Sequence, residues 1–268
     1  MLVVEVPART LPGLVWARWV RDAGSDLLPI SSFGGDLMGA RSAVLCGLAP
    51  APALALGSIV VDITLELIAQ LAFTLIGLVL LLLLPTDAAL TRSTVIGLLV
   101  AAPLVLGFVV AQRVGLFLLI ERIGQRLARR WRWSALAGAD GMHRAIRRIH
   151  AARGRIAAGF TLHLAGWVAS AAEAWLALGF LDAQPGFLVV LVIESLAYGL
   201  RSAAFVVPGA FGVQEGGYVL LGPLFGIAPD VMLALSLLKR ARDLLLGVPA
   251  LALWQWFEGG RWRRQQAQ

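Results

Sequence analysis

From Ala51 to Leu84 the chain is continuously helix-compatible, and it ends in the run GLVLLLLL before Pro85. A helix that crosses a bilayer needs about 20 mostly apolar residues, because each advances about 1.5 Å through a hydrocarbon core about 30 Å thick. This stretch exceeds that requirement, and a proline at its end lacks the backbone donor needed to continue. Either the helix tilts, or its first half, with Asp62 and Glu66, packs inside protein while its second half meets lipid. Further spans are expected over residues 94–112, 157–180, 187–207 and 230–257, with Trp254, Trp256 and Trp262 as an aromatic belt at the last exit.

Composition agrees. Hydrophobic residues make up 59% of the chain and charged ones 15%, with a mean hydropathy of +0.82, whereas roughly half of a soluble domain is apolar. The expected fold class is an all-α integral membrane protein, a helical bundle forming a single membrane domain over residues 1–268. The one cysteine, Cys46, excludes an intrachain disulfide. With no CxxC or Cys/His cluster, neither a metal nor a redox cofactor is expected. The first 28 residues lack an uninterrupted apolar core followed by a small-residue cleavage site, so insertion through the chain's own helices is expected instead of a cleaved signal.

A net charge of +7 and a pI near 11.1 raise the question of nucleic acid. The location of the charge answers it. Lys239 is the one lysine; eleven arginines lie from Arg113 to Arg155, and Arg261, Arg263 and Arg264 crowd the C-terminus. The connections near 85–94 and 182–186 hold only Arg92. Such asymmetry between loops is the positive-inside signal of a multi-pass protein. No folded basic domain is left to carry a groove reader, so nucleic acid is not an expected partner. Residues of about 113–156 are read as a cytoplasmic basic loop. Within it Ile146, Ile149 and Ala152 recur at helical spacing among arginines, which fits a basic amphipathic helix on the membrane surface. A solvated loop obeying the orientation rule fits equally well. His143 and His150 have no carboxylate nearby and are read as surface residues.

The chain also resembles itself. LLPISSFGGDLMGARSAVLCGLAPAPALALGSIVVDITLE near the start matches VVPGAFGVQEGGYVLLGPLFGIAPDVMLALSLLKRARDLL near the end, with a one-residue gap early in the motif. Phe33-Gly34 aligns with Phe211-Gly212, Asp36 with Glu215, Gly47 with Gly226, Pro50 with Pro229 and Ala55 with Ala234. Copy 1 covers about 28–84 and copy 2 about 206–257. Pro29, Gly34 and Gly35 in one copy, and Pro208, Gly209, Gly212, Gly216 and Gly217 in the other, form a helix-breaking motif. Broken backbone is tolerated at membrane depth only where protein or a wet cavity satisfies its amides. Each copy is therefore expected to be re-entrant or discontinuous, and paired interruptions in two halves point to a transporter's substrate site. The alternative is that the glycines only allow close helix packing. The arginine-poor connection near 85–94 and the arginine-rich tail after 257 put the copies' ends on opposite sides, which implies an inverted repeat provided residues 209–228 make a net crossing; a purely re-entrant segment would leave the copies parallel and the tail outside.

Charges inside spans cost roughly 2.5–3.5 kcal/mol each on insertion scales, so they are kept when paired or useful. Asp62 and Glu66 share a helical face, Glu173 sits in ASAAEAWLAL, and Glu194 and Arg201 lie seven residues apart on one face. The last helix adds Lys239, Arg240, Arg242 and Asp243. One reading is a polar pathway in which Arg41, Arg201 and Arg240 meet an anionic headgroup through their planar forks. The carboxylates Asp62, Glu66, Glu173, Glu194, Glu215 and Asp243 would then supply counter-charges or proton relays, with Gln214 also on the pathway. The other reading is that these residues pair with one another or snorkel. GAFGVQEGG lacks the lysine-serine ending of a P-loop. No GxSxG, HExxH or Ser/His/Asp pattern occurs, His163 stands alone in a span, and an enzyme is not expected.

VVPGAFGVQEGGYVLLGPLFGIAPDVMLALSLLKRARDLLLGVP resembles the C-terminal signature of the lysylphosphatidylglycerol synthetase transmembrane-region family, also described as flippase-like membrane proteins. The likeness spans most of the chain. LLPISSFGGDLMGARSAVLCG, VVDITLELIAQLAF and IESLAYGLRSAAFVVPGAFGVQEGG look like the branch associated with hopanoid biosynthesis. The resemblance implies a bacterial inner-membrane protein that handles lipid, with membrane lipids and lipid-biosynthesis enzymes as its partners. The soluble aminoacyl-transferase domain of better-known members has no counterpart in this sequence, and members usually begin with one or two further spans. Two functions of different class follow. One is translocation of an amphiphilic lipid, with its headgroup on Arg201, Arg240 and Glu215. The other is a non-transporting scaffold that gathers lipid-synthesis enzymes through its arginine-rich loop.

Overall fold

The computed structural model describes residues 11–28, 31–48, 52–84, 153–203 and 212–266. Among them there are seven α-helices and no strand: α1 (Leu11–Leu27), α2 (Ser31–Leu45), α3 (Pro52–Leu83), α4 (Arg153–Phe180), α5 (Phe187–Ala203), α6 (Val213–Leu221) and α7 (Pro229–Gln266), with a 3-10 turn over Gly222–Phe225 ahead of α7. The expected basic loop up to residue 152, the span at 94–112, and Pro29, Pro208 and Gly209 lie outside the described residues.

The helices end where local chemistry stops them. Gly47 follows α2 with φ +68°, and Gly226 follows the 3-10 turn with φ +75°. This left-handed backbone costs glycine nothing. In each case the next amide reaches back five residues, Leu48 to the Ala43 carbonyl at 2.9 Å and Ile227 to Gly222 at 3.1 Å, the Schellman closure of a helix end. The aligned glycines therefore have the same local geometry, a left-handed glycine followed by a six-to-one bond; a long helix comes after each, opened by Pro229 in α7 and in α3 by Pro52, two residues past Pro50, which lies outside the described residues. After α4 the same turn is made by Asp182 at φ +58°, with the Ala183 amide on the Leu178 carbonyl.

The chain forms two compact units, residues 1–62 with 138–152 and 238–268, and residues 63–137 with 153–237. In the first, α1 and α2 lie against each other at glycine contacts. A Cβ on Gly35 would strike the Arg21 carbonyl and the Ser25 main chain, and one on Gly24 would sit 2.8 Å from the Gly35 Cα. Gly34 and Gly35 thus lie inside α2, and Gly216 and Gly217 inside α6. Gly35 permits close approach, while the chain turns at Gly47, Gly212 and Gly226, where φ is positive. Trp16, Trp19, Trp256 and Phe257 gather in this unit, Trp16 edge-on to both Trp19 and Phe257 at 5.9 Å. The Trp19 indole N–H donates to the Leu246 carbonyl at 3.0 Å. Cys46 is exposed at the turn after α2.

In the second unit α5 is the central helix, buried on every face from Val190 to Ala197. Its apolar residues join Leu81, Ala174, Leu178, Met232 and Leu235 in one core, and Phe73, Ala171 and Leu191 form another. The distribution of polarity inverts that of a water-soluble domain. On α3, Gln70 and Thr74 are buried, whereas Ile68, Leu75, Ile76, Val79, Leu82 and Leu83 are exposed. Exposed leucines also line α7 at 244–246, and Phe180 is 88% exposed. Contiguous apolar exteriors of this kind belong against lipid or another protein. Among the described helices the 23-residue stretch Val61–Leu83 is long and apolar enough to cross a membrane by itself. The helices expected over 157–180, 187–207 and 230–257 are present as α4, α5 and α7; residues 204–207 lie outside the described residues.

Candidate functional site

The polar groups of the second unit are organised by α5. Glu194, Tyr198, Arg201 and Ser202 fall at i, i+4, i+7 and i+8, so they share one helical face. This stripe starts at the buried middle of the helix and runs to its C-terminal turn.

At its inner end Glu194 has no exposure to solvent. The Tyr218 hydroxyl, on α6, donates to Glu194 Oε1 at 2.5 Å. The Ser170 hydroxyl, on α4, donates to Oε2 at 3.5 Å, the outer limit of a hydrogen bond. Ser170 also bonds the Tyr198 hydroxyl at 3.1 Å, and the Tyr198 ring packs edge-on to Trp167 at 4.7 Å. One turn further along, the Gln70 amide of α3 donates to the Tyr198 carbonyl at 3.1 Å and to the Ser202 hydroxyl. Thr74 donates to the Ser195 carbonyl at 3.4 Å. Each of these α3 donors gives α5 an extra bond on its backbone or stripe, which holds the register between the two helices.

At the outer end Arg201 Nη1 donates to the side-chain oxygen of Gln214 at 3.0 Å. Gln214 is 5% exposed and belongs to the first turn of α6, which starts at Gly212 with φ +79°. The Gly212 amide donates to Glu215 Oε2 at 2.8 Å. Glu215 thus folds back on its own helix start, as a capping glutamate does, and its charge lies in the first turn, where it also favours the helix dipole.

The first unit has a counterpart of the Arg201–Gln214 tie. Arg21 of α1 donates to Asp36 of α2 at 2.5 Å and to Asp62 of α3 at 2.7 Å, and Arg18 adds a contact with Asp62 at 3.4 Å. Each tie runs from an arginine in the helix that precedes a sequence copy to an acceptor in the next helix, across 15 residues in one and 13 in the other. By bonding, Asp36 corresponds to Gln214, the second residue after each Phe-Gly; the gap in the sequence match therefore falls after that position and not before it.

Residues 7–250 match the family model described as the lysylphosphatidylglycerol synthase TM region. The chain belongs to that family. It is accordingly an all-α membrane protein of a family associated with lipid handling. No curated protein and no solved structure matches the chain significantly.

Within this member of the family, the residues expected from sequence divide between the two units. Glu194, Arg201, Gln214 and Glu215 come together around α5 and α6, with Glu173 half-buried on α4 and Glu66 half-buried on α3. Asp62 is held by Arg21 and Arg18. Arg41 donates through Nε and Nη2 to Glu258 Oε1, at 3.1 and 2.6 Å. Asp243 accepts from its neighbour Arg242 at 2.7 Å, and Arg240 is half-buried on α7. Sequence reasoning missed Tyr218, Ser170, Tyr198, Gln70 and Ser202. The spacing of Tyr198 and Ser202 from Glu194 carried a readable signal, a polar stripe at helical period. It missed Arg21 as well, whose partners lie too far along the chain for any local pattern to show, and Arg18, whose 2.9 Å bond to Asp22 one turn on was a readable local pattern.

Proposed function

We propose that this protein moves an amphiphilic lipid between the leaflets of a bacterial inner membrane, with the lipid headgroup meeting Arg201 and the stripe on α5. The observation that carries this reading is the stripe itself: Glu194, Tyr198, Arg201 and Ser202 on one face of a helix whose surroundings are apolar. Polar and ionisable groups inside a membrane domain are costly and mark pathways. Gln214 fixes the guanidinium through a neutral amide, which orients the fork without cancelling its charge. An oriented guanidinium binds phosphate with two parallel bonds. The repeated motif, with its left-handed glycines and paired arginine ties, supports two interrupted halves in an inverted repeat. The likeness of the sequence to the hopanoid-associated branch makes a hopanoid-like lipid the first candidate cargo.

The test is leaflet-resolved lipid movement in vesicles holding purified protein, with a labelled anionic phospholipid and a hopanoid-like lipid compared against empty vesicles. Arg201→Ala is expected to abolish movement without lowering membrane abundance. Gln214→Ala keeps the charge and removes the tie, so it should slow movement less. Normal movement by Arg201→Ala would refute the assignment of the headgroup to this residue. If folded wild-type protein moves neither lipid, the translocation reading fails and the scaffold role takes its place.

A further inference from the structure

We propose that Glu194 is a proton-binding site, filled through the hydroxyls of Ser170 and Tyr198, and that its loading drives the lipid movement. The site stands on geometry; the coupling rests on the translocation reading.

A carboxyl with no solvent exposure can exchange a proton only through the groups it touches. For Glu194 those contacts include two hydroxyls, Tyr218 at 2.5 Å and Ser170 at 3.5 Å, and Ser170 in turn meets the Tyr198 hydroxyl at 3.1 Å. A hydroxyl both donates and accepts. The row Glu194, Ser170, Tyr198 can therefore hand a proton inward. Ser170 gives its proton to the carboxylate and takes one from Tyr198, and Tyr198 is refilled from the aqueous side. The net change is one proton moved from solution onto Glu194, with both hydroxyls restored. Tyr198 and Ser170 are half-buried where Glu194 is wholly buried, so exposure rises along the row, and Tyr198 lies on the α5 stripe between Glu194 and Arg201. Tyr218 lies at the other side of the carboxylate and holds it in place.

The row is strung out; its oxygens do not gather around a point. A hard cation such as calcium needs about six or more oxygens converging on it, and this arrangement suits a proton instead. From α3, Gln70 and Thr74 reach the Tyr198 and Ser195 carbonyls of α5, Ser170 of α4 reaches Glu194 itself, and Met232 and Leu235 of α7 share the surrounding apolar core. Arg201 is two turns from Glu194 on the same stripe. A proton arriving on Glu194 and an anionic headgroup arriving at Arg201 thus change the charge of one polar face, which is how loading at one end favours binding at the other.

Infrared titration of the purified full chain tests the site without any lipid assay. A protonated-carboxyl band that titrates in wild type should disappear in Glu194→Gln, whose amide oxygen can still accept from Tyr218 and preserve the fold. In Ser170→Ala the band should persist but exchange with deuterium more slowly. An unchanged band in Glu194→Gln would overturn the site. The coupling is tested in vesicles with and without an imposed pH gradient. The gradient should speed lipid movement by wild type and lose that effect in Glu194→Gln. Wild-type movement indifferent to the gradient would overturn the coupling and leave translocation standing. A titrating band with no lipid movement at all would leave the proton site standing and remove translocation.

Discussion

Arg21 on α1 lies 2.5 Å from Asp36 on α2, a buried ion pair made across fifteen residues, and the same guanidinium also binds Asp62. Buried pairs of this kind add little over an apolar substitute, but breaking one strands the remaining charge at about 3–5 kcal/mol. Arg21→Ala should therefore lower the melting temperature of the detergent-purified protein sharply. Replacing Arg21 and Asp36 together by leucine should recover much of the loss, since Arg18 still serves Asp62. Equal melting temperatures for Arg21→Ala and wild type would show that the pair contributes nothing to stability.

Two of the left-handed glycines, Gly47 and Gly226, offer a cleaner measurement. A Cβ on Gly47 or Gly226 would meet nothing within 4 Å, so substitution is penalised by backbone conformation alone. Alanine at either position should cost about 1–2 kcal/mol, and asparagine, which tolerates this region, clearly less. Thermal unfolding of the four single variants should give similar values at the two sites. A large cost at one and none at the other would break their equivalence.

Gly35→Ala and Gly166→Ala should act in opposite directions. At Gly35 a methyl group collides with α1 backbone, and overpacking of this sort costs roughly 1–3 kcal/mol. At Gly166, inside α4, a methyl group meets nothing within 4 Å, and alanine stabilises a helix interior by about 0.5–1 kcal/mol. The comparison is read from the yield of monodisperse protein and its melting temperature.

Arg41 was a headgroup candidate by sequence, and the structure gives it to Glu258. A double-mutant cycle on this half-exposed pair should return a coupling of about 0.2–1 kcal/mol that shrinks as salt is added. Lipid movement in Arg41→Ala should stay near wild type, in contrast to Arg201→Ala. Loss of movement in Arg41→Ala would extend the pathway into the first unit.

Much of the helical layout was legible because apolar length and proline position are local signals. The helix expected up to Leu84 ends at Leu83, and the one expected from 230 begins at Pro229. What was not legible depends on partners distant in the chain. The stretch holding Arg18, Arg21 and Asp22 was not among the expected spans, yet it forms α1, where Arg18 bonds Asp22 one turn on and Asp36 and Asp62 come from other helices to meet Arg21. The Glu194–Tyr218 bond joins residues 24 apart on separate helices, and no spacing rule links a glutamate to that tyrosine. Gly34 and Gly35 were read as a break because glycine weakens helices. In α2 the missing Cβ at Gly35 instead makes room for a neighbouring backbone.

Cys46, the single thiol of the chain, is exposed at the turn that closes α2. Cys46 is thus a one-site label at the turn that closes α2, and the matching turn ahead of α7, at Phe225, has none. Maleimide applied to sealed vesicles reports which face of the membrane Cys46 looks upon. Repeating the reaction with the thiol moved, as Cys46→Ser with Phe225→Cys, reads the sidedness of its counterpart, so the handedness of the whole duplication reduces to which of two reagents, permeant or impermeant, reaches sulfur first.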